Sequence, residues 1–142
     1  GMPVVEKMDG TRDGVAAVID KDLAAELLAE QVDADVLLIL TEVEKVAINW
    51  GKENQQDLDH MSLADAAQYV EEGQFAPGSM LPKVQACMKF ARRYPNKKAI
   101  ITSLDKATEA LAGNTGTVIT FAYFFKRWQH GKGLCKALRR TK

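Results

Sequence analysis

The chain has 142 residues, 46% of them hydrophobic and 27% charged, with 19 basic and 19 acidic side chains. That is one domain's worth of chain, with enough apolar material for a core and no apolar run of membrane-spanning length. Cys87 and Cys135 have no ligand-like spacing, which argues against a disulfide scaffold or a zinc ribbon and for a reducing, cytoplasmic setting.

Gly1 ahead of Met2 reads as a cloning remnant, and no signal pattern follows it. Two short apolar runs, 3–5 and 14–19, flank Asp9-Gly10, a hairpin turn signal. Leu23, Ala24, Leu27, Leu28 and Val32 recur at helical spacing, so 21–32 reads as an amphipathic helix, with Asp20 and Asp22 suited to its start. The continuous apolar run 36–40 reads as a central strand covered on both faces. Residues 43–50 read as a more exposed strand, and 51–57 as a polar loop. Ser62 with Asp65 has the form of a capping box opening a helix to about Glu72. After a loop containing Gly73, Pro77 and Gly78, Pro82 fits the first turn of a helix. Val84, Cys87, Met88 and Ala91 would be its buried stripe, and Pro95 its limit. Residues 99–102 read as a strand, Ser103 as the cap of a helix ended by Gly113, and 116–120 as a last strand. The order β-β-α-β-β-α-α-β-α-β predicts an α/β sheet with helices on both faces.

Two places combine a turn, a helix start and a lysine: Asp20-Lys21-Asp22, and Gly78-Ser79-Met80-Leu81-Pro82-Lys83. Free amides at a helix start attract anions, and a lysine adds a full charge. Each feature alone is commonplace in capped, solvated helix ends and loops. The second is not a Walker A loop, because it lacks the Gly-Lys-Ser/Thr ending. His60 and His130 are isolated and read as surface residues. Cys87 reads as a small core residue, Trp50 as covering a core edge, and Glu71-Glu72 as a solvated helix end. No spacing marks a metal site.

Together the segments 17–24, 38–41, 73–83, 99–104 and 116–119 resemble, in order, the carbamate kinases of the amino-acid kinase family. The eleven-residue stretch Gly73-Gln74-Phe75-Ala76-Pro77-Gly78-Ser79-Met80-Leu81-Pro82-Lys83 is the most specific of them. The resemblance implies a three-layer α/β/α sheet. It also implies phosphate transfer between ATP and carbamate, giving carbamoyl phosphate and ADP with Mg2+, in arginine catabolism. By the same resemblance, Asp20 would orient the catalytic lysines, and Lys21 and Lys83 would contact phosphates. Thr41, Val43, Val46, Ala47 and Asn49 would lie along the nucleotide, with Met80 and Pro82 on its other side. Family members often carry an aromatic where this chain has Ala47, which implies weaker packing on adenine. No Gly-Gly-Asn loop occurs, so residues 3–120 look like the C-terminal, nucleotide-binding half alone. Such a half would be inactive or nearly so as a kinase, because in-line transfer needs both substrates clamped. The alternatives are a non-catalytic module that binds nucleotide or a partner, and a subunit completed by a separate first half. Self-association through an exposed face is a further expectation.

The resemblance stops near Thr120. Residues 121–142 hold seven basic groups, no acid and half of the ten aromatics, whereas the first 120 residues carry a net charge of −7. Phe121, Phe124, Phe125 and Trp128 fall at amphipathic helical spacing. This extension suits packing on apolar surface of the body. An anionic membrane or an acidic partner is the next reading, and nucleic acid is less favoured.

Overall fold

The computed structural model describes residues 3–122. The aromatic stripe beyond Ala122 and the basic extension lie outside the described residues.

The chain opens with an exposed antiparallel hairpin, β1 (Val4–Glu6) and β2 (Arg12–Gly14). Gly10 takes a left-handed φ of 80°, and the Asp9 carboxylate accepts from the Thr11 amide at 2.9 Å. The second strand is shorter than the apolar run 14–19. Its ladder closes where the Val15 amide donates to Pro3 O, and proline has no N–H to return. Val18 and Ile19 are left exposed.

Helix α1 (Lys21–Gln31) starts at Asp20, whose carboxylate accepts from the amides of Asp22 and Leu23 at 2.9 and 3.0 Å. Its orientation differs from the expected one. Leu23, Leu27, Leu28 and Val32 face outward, and the buried residues are Glu26 and Ala29. The reason lies in helix α3 (Met80–Arg93), which packs along the Glu26 side. Asp22 pairs with Lys83 at 2.9 Å, Glu26 with Lys89 at 2.6 Å, and the Tyr94 hydroxyl donates to Glu30 O at 3.3 Å. The rungs advance in the same direction on both helices, so the two run parallel and their N-termini share one end.

The main sheet has the order β3-β7-β8-β6, built from β3 (Val36–Thr41), β7 (Lys98–Ser103), β8 (Thr117–Thr120) and β6 (His60–Ser62). The β3–β7 and β6–β8 pairs are parallel, and β7–β8 is antiparallel. The run 36–41 is therefore an edge strand of the described sheet, not a central one. Leu37 and Ile39 are buried, but Leu40 is exposed. Strands β7 and β8 are the interior ones, and residues 99–103 of β7 are all buried.

Ala99 and Ile101 join Val84, Cys87, Phe90 and Met61 in the main core on the α3 side. Strand alternation puts Ile100 and Thr102 on the opposite face, which is covered by α4 (Ala107–Leu111). This is the three-layer α/β/α arrangement. Ser103 does not cap α4. A 3-10 turn (Leu104–Lys106) intervenes, and the Ser103 hydroxyl instead bonds the Asp105 carboxyl, holding it below the usual range.

Two further strands lie where the sequence suggests loop. The stretch 51–57 contributes to β5 (Gln56–Leu58), which pairs antiparallel with β4 (Val46–Ile48), and β6 follows directly. Thr117 of β8 joins this hairpin to the sheet. Its hydroxyl accepts from the Val46 amide at 2.8 Å and donates to Leu58 O. Helix α2 (Leu63–Glu71) carries the expected capping box, with both the Ser62 and the Asp65 bonds formed.

Candidate functional site

A cleft of about 220 Å³ opens at the C-terminal end of β3. Its walls are the β3–β4 connection, the start of the β4–β5 hairpin, and the loop from Gln74 into α3. Four of the seven residues expected along a nucleotide line it: Thr41, Val43, Ala47 and Met80. Val46 is fully buried behind the wall, its amide held by Thr117. Asn49 sits in the left-handed region at φ 54°, with its amide donating to Gln74 Oε1 at 3.0 Å and its side chain reaching Asn54 O. Pro82 is half-buried in the first turn of α3. Val46 and Asn49 thus support the cleft wall, Pro82 does not line it, and the other four present their surfaces to it.

The charged residues lie at the shared N-terminal end of α1 and α3. Asp20 is committed to capping α1, and Lys21 is exposed at the first helical position. Lys83 pairs with Asp22, not with the expected orienting residue Asp20. Their side chains are 19% and 20% exposed, which shields the pair from much of the solvent. The two helix starts differ electrostatically. Helix α1 has a carboxylate cap and Asp22 in its first turn, whereas α3 has no side-chain cap and no acid there. The positive end of the α3 dipole is therefore left to Lys83 and to any anion that approaches. One turn further, Cys87 is fully buried, and burial pushes its thiol well above the ordinary range. It is a core residue, as its place on the apolar stripe suggested.

Several cleft residues carry no local sequence signal. Lys45 reaches Asp59 at 2.6 Å, and this hydrogen-bonded partner raises the lysine's pKa. Gln74 and Phe75 come from the loop before α3, and Glu42, Ala76 and Ser79 complete the rim. Trp50 does not cover a core edge. It stands at the cleft and is 61% exposed. Its position after Asn49 and before Gly51 was the available clue, since both adopt positive φ and throw the intervening side chain outward. His60 is not a surface residue either. It is half-buried in β6, with its Nε2 2.7 Å from Thr120 Oγ1.

Residues 1–103 match the amino acid kinase family. The chain belongs to that family. It is 58% identical over 119 residues to the carbamate kinase-like protein YqeA of Escherichia coli, a match covering 84% of this chain and 38% of that protein. It is also 58% identical over 120 residues to the carbamate kinase of Clostridium perfringens, with the same coverage. Among solved structures, carbamate kinase from Giardia lamblia bound to AMP-PNP superposes with a TM-score of 0.81 at 41% identity. That match covers 84% of this chain and 41% of the other. The chain thus spans about 38% of the length of the curated relatives it matches. The carbamate kinase resemblance and the α/β/α fold both stand on these matches.

Among the described residues, no three His, Cys, Asp or Glu side chains are grouped to hold a metal ion. Magnesium typically binds through one or two carboxylates together with substrate phosphates. At the start of α1, Asp20 and Asp22 are engaged by helix amides and by Lys83, and Glu42 is the carboxylate that lines the cleft. Among the described residues, no helix is long and apolar enough to cross a membrane.

Proposed function

We propose that this chain is the nucleotide-binding portion of a carbamate kinase-type phosphotransferase, and that by itself it binds nucleotide with little or no turnover. The observation that carries this reading is the pairing of two unlike environments at one end of the fold. An apolar cleft at the end of β3 adjoins an uncapped helix start carrying Lys83. A base and ribose suit the first environment, and phosphates suit the second. The Giardia lamblia relative's complex with AMP-PNP supports the same assignment.

In this reading Thr41, Val43, Ala47 and Met80 contact the base and sugar, and Val46 and Asn49 hold those contacts in place. Lys83 and Lys21 neutralise charge on the phosphates, and Asp20 fixes the α1 start that carries Lys21. Asp22 releases or shares Lys83 when phosphate arrives. ATP or ADP enters with its Mg2+ held on the phosphates. The full transfer, ATP with carbamate to carbamoyl phosphate and ADP, requires a second set of groups to clamp carbamate in line. A complementing segment or a second copy would supply them, in the cytoplasm.

Calorimetry with Mg-ADP tests the binding claim. Binding that weakens about tenfold or more in Lys83→Ala supports it, and absence of binding in the unaltered chain refutes it. ATP formation from carbamoyl phosphate and ADP at the rate of a full-length relative would refute the claim of low turnover. A non-catalytic role rests on the same coverage, since the chain spans only 38% of its relatives. That role predicts nucleotide binding with no turnover even after a first-half polypeptide is added.

A further inference from the structure

The cleft contains one large exposed aromatic surface that the family-based residue set does not include. Trp50 is 61% exposed, although buried Ala47 and Phe75 line the same cleft. Its exposure is built into the fold. Asn49 and Gly51 both hold positive φ, at 54° and 73°. The Asn49 amide is bonded to Gln74 at 3.0 Å, the Gly51 amide to Gln55 at 3.0 Å, and the Lys52 amide to Asn49 O at 3.0 Å. Bonds on both sides of Trp50 fix the backbone that presents the indole. Asparagine tolerates the left-handed region better than most non-glycine residues, which suits Asn49 to this turn.

Two of the polar side chains at the cleft, Lys45 and Gln74, are already engaged, which leaves Thr41, Glu42 and Ser79 as the other polar members of the lining. Lys45 is paired with Asp59 at 2.6 Å, and the Gln74 carbonyl accepts from Asn49. What remains toward the middle of the cleft is mainly Val43, Ala47, Phe75 and Met80. The volume, about 220 Å³, is below the roughly 300–1,000 Å³ of pockets that enclose a drug-sized ligand. It suits a flat ring system, with sugar and phosphates lying outside toward α3.

Resting on the nucleotide reading above, we infer that Trp50 is the base-stacking residue of this cleft, and that a nucleotide is held there by the face of its base. Stacking on an aromatic tolerates any base with a π-face, and larger rings gain more. Adenine and guanine both offer such a face.

The test uses the full chain with Trp128→Phe, which leaves Trp50 as its single tryptophan, since the chain has two. ADP, GDP and inorganic pyrophosphate are titrated by fluorescence and by calorimetry. The expected result is saturable quenching of Trp50 by ADP, and none by pyrophosphate. A second chain, carrying Trp50→Ala alone, should lose roughly tenfold or more for both nucleotides by calorimetry, with no change for pyrophosphate. Trp50→Phe should restore most of that loss. Unchanged ADP affinity in Trp50→Ala would overturn the inference and leave the nucleotide reading intact. No ADP binding in the unaltered chain would overturn the nucleotide reading itself, and this inference with it.

Discussion

Glu26 offers a quantitative test of how α1 and α3 are held together. Its side chain is fully buried, with Oε2 2.6 Å from Lys89 Nζ, while Oε1 is buried without a hydrogen-bond partner. Desolvation is the largest influence on its pKa and raises it above the ordinary 4.5, against the lowering effect of Lys89. The neighbouring Glu30 carboxyl also raises it, because two facing carboxylates repel and a proton on Glu26 relieves that repulsion. Glutamine at this position would keep an acceptor for Lys89 and place a permanent N–H donor toward Glu30. A hydrogen bond to a charged group contributes about 1.5–3 kcal/mol net, and the weakened Lys89 contact offsets part of it. Glu26→Gln should therefore raise stability at pH 7 by about 1–2 kcal/mol, or several degrees in melting temperature. The pH dependence has a definite sign. Because the folded pKa is raised, the native chain has its full stability below the unfolded value near 4.5. It loses stability as pH rises through the folded value. Glu26→Gln should lack that loss, so the two melting curves converge in acid and separate toward neutrality. Thermal unfolding by circular dichroism from pH 4 to 8 measures this. A variant less stable than the native chain by more than about 1 kcal/mol at pH 7 would refute the reasoning, since Lys89 would then outweigh desolvation.

Other positions give independent checks. Gly116 holds φ 82°, and an added Cβ would lie 3.1 Å from Ile101 O and 3.3 Å from the Ala110 methyl. Gly116→Ala should destabilise by about 2 kcal/mol or more in denaturant unfolding. Thr102 Oγ1 is buried without a partner, so Thr102→Val should leave stability unchanged or raise it by about 1 kcal/mol in the same assay. In a Cys135→Ser background, Cys87 should be inert to a thiol reagent in the native state and react only on unfolding, since burial raises its pKa and blocks access. Rapid native-state labelling at neutral pH would contradict that placement.

Features set by neighbouring residues were legible in the sequence. The Asp20 cap, the Ser62–Asp65 box, the Gly10 turn and Pro82 in a first turn each depend on contacts within a few positions. The orientation of α1 was not legible, because it depends on Lys89, 63 residues away from Glu26. Leucine spacing marked a helix correctly but misassigned its buried side. Strands β5 and β6 are three residues each and carry too little apolar pattern to stand out from loop. In the cleft, Thr41, Val43, Ala47 and Met80 were reached through the family resemblance. Trp50 and Gln74 enter it because a backbone turn and a hydrogen bond across 25 residues put them there.

The open side of β3 bears on how the chain behaves at high concentration. An apolar edge strand is a template for association with its own kind. Strand β3, however, is bracketed by Asp35 before it and Glu42 after it, both exposed. Two copies aligned antiparallel, Val36 against Thr41, would bring Asp35 of each against Glu42 of the other at both ends of the pairing. These acids act as gatekeepers against such pairing. The tendency of this chain to form strand-linked aggregates should therefore rise when both are replaced by neutral residues.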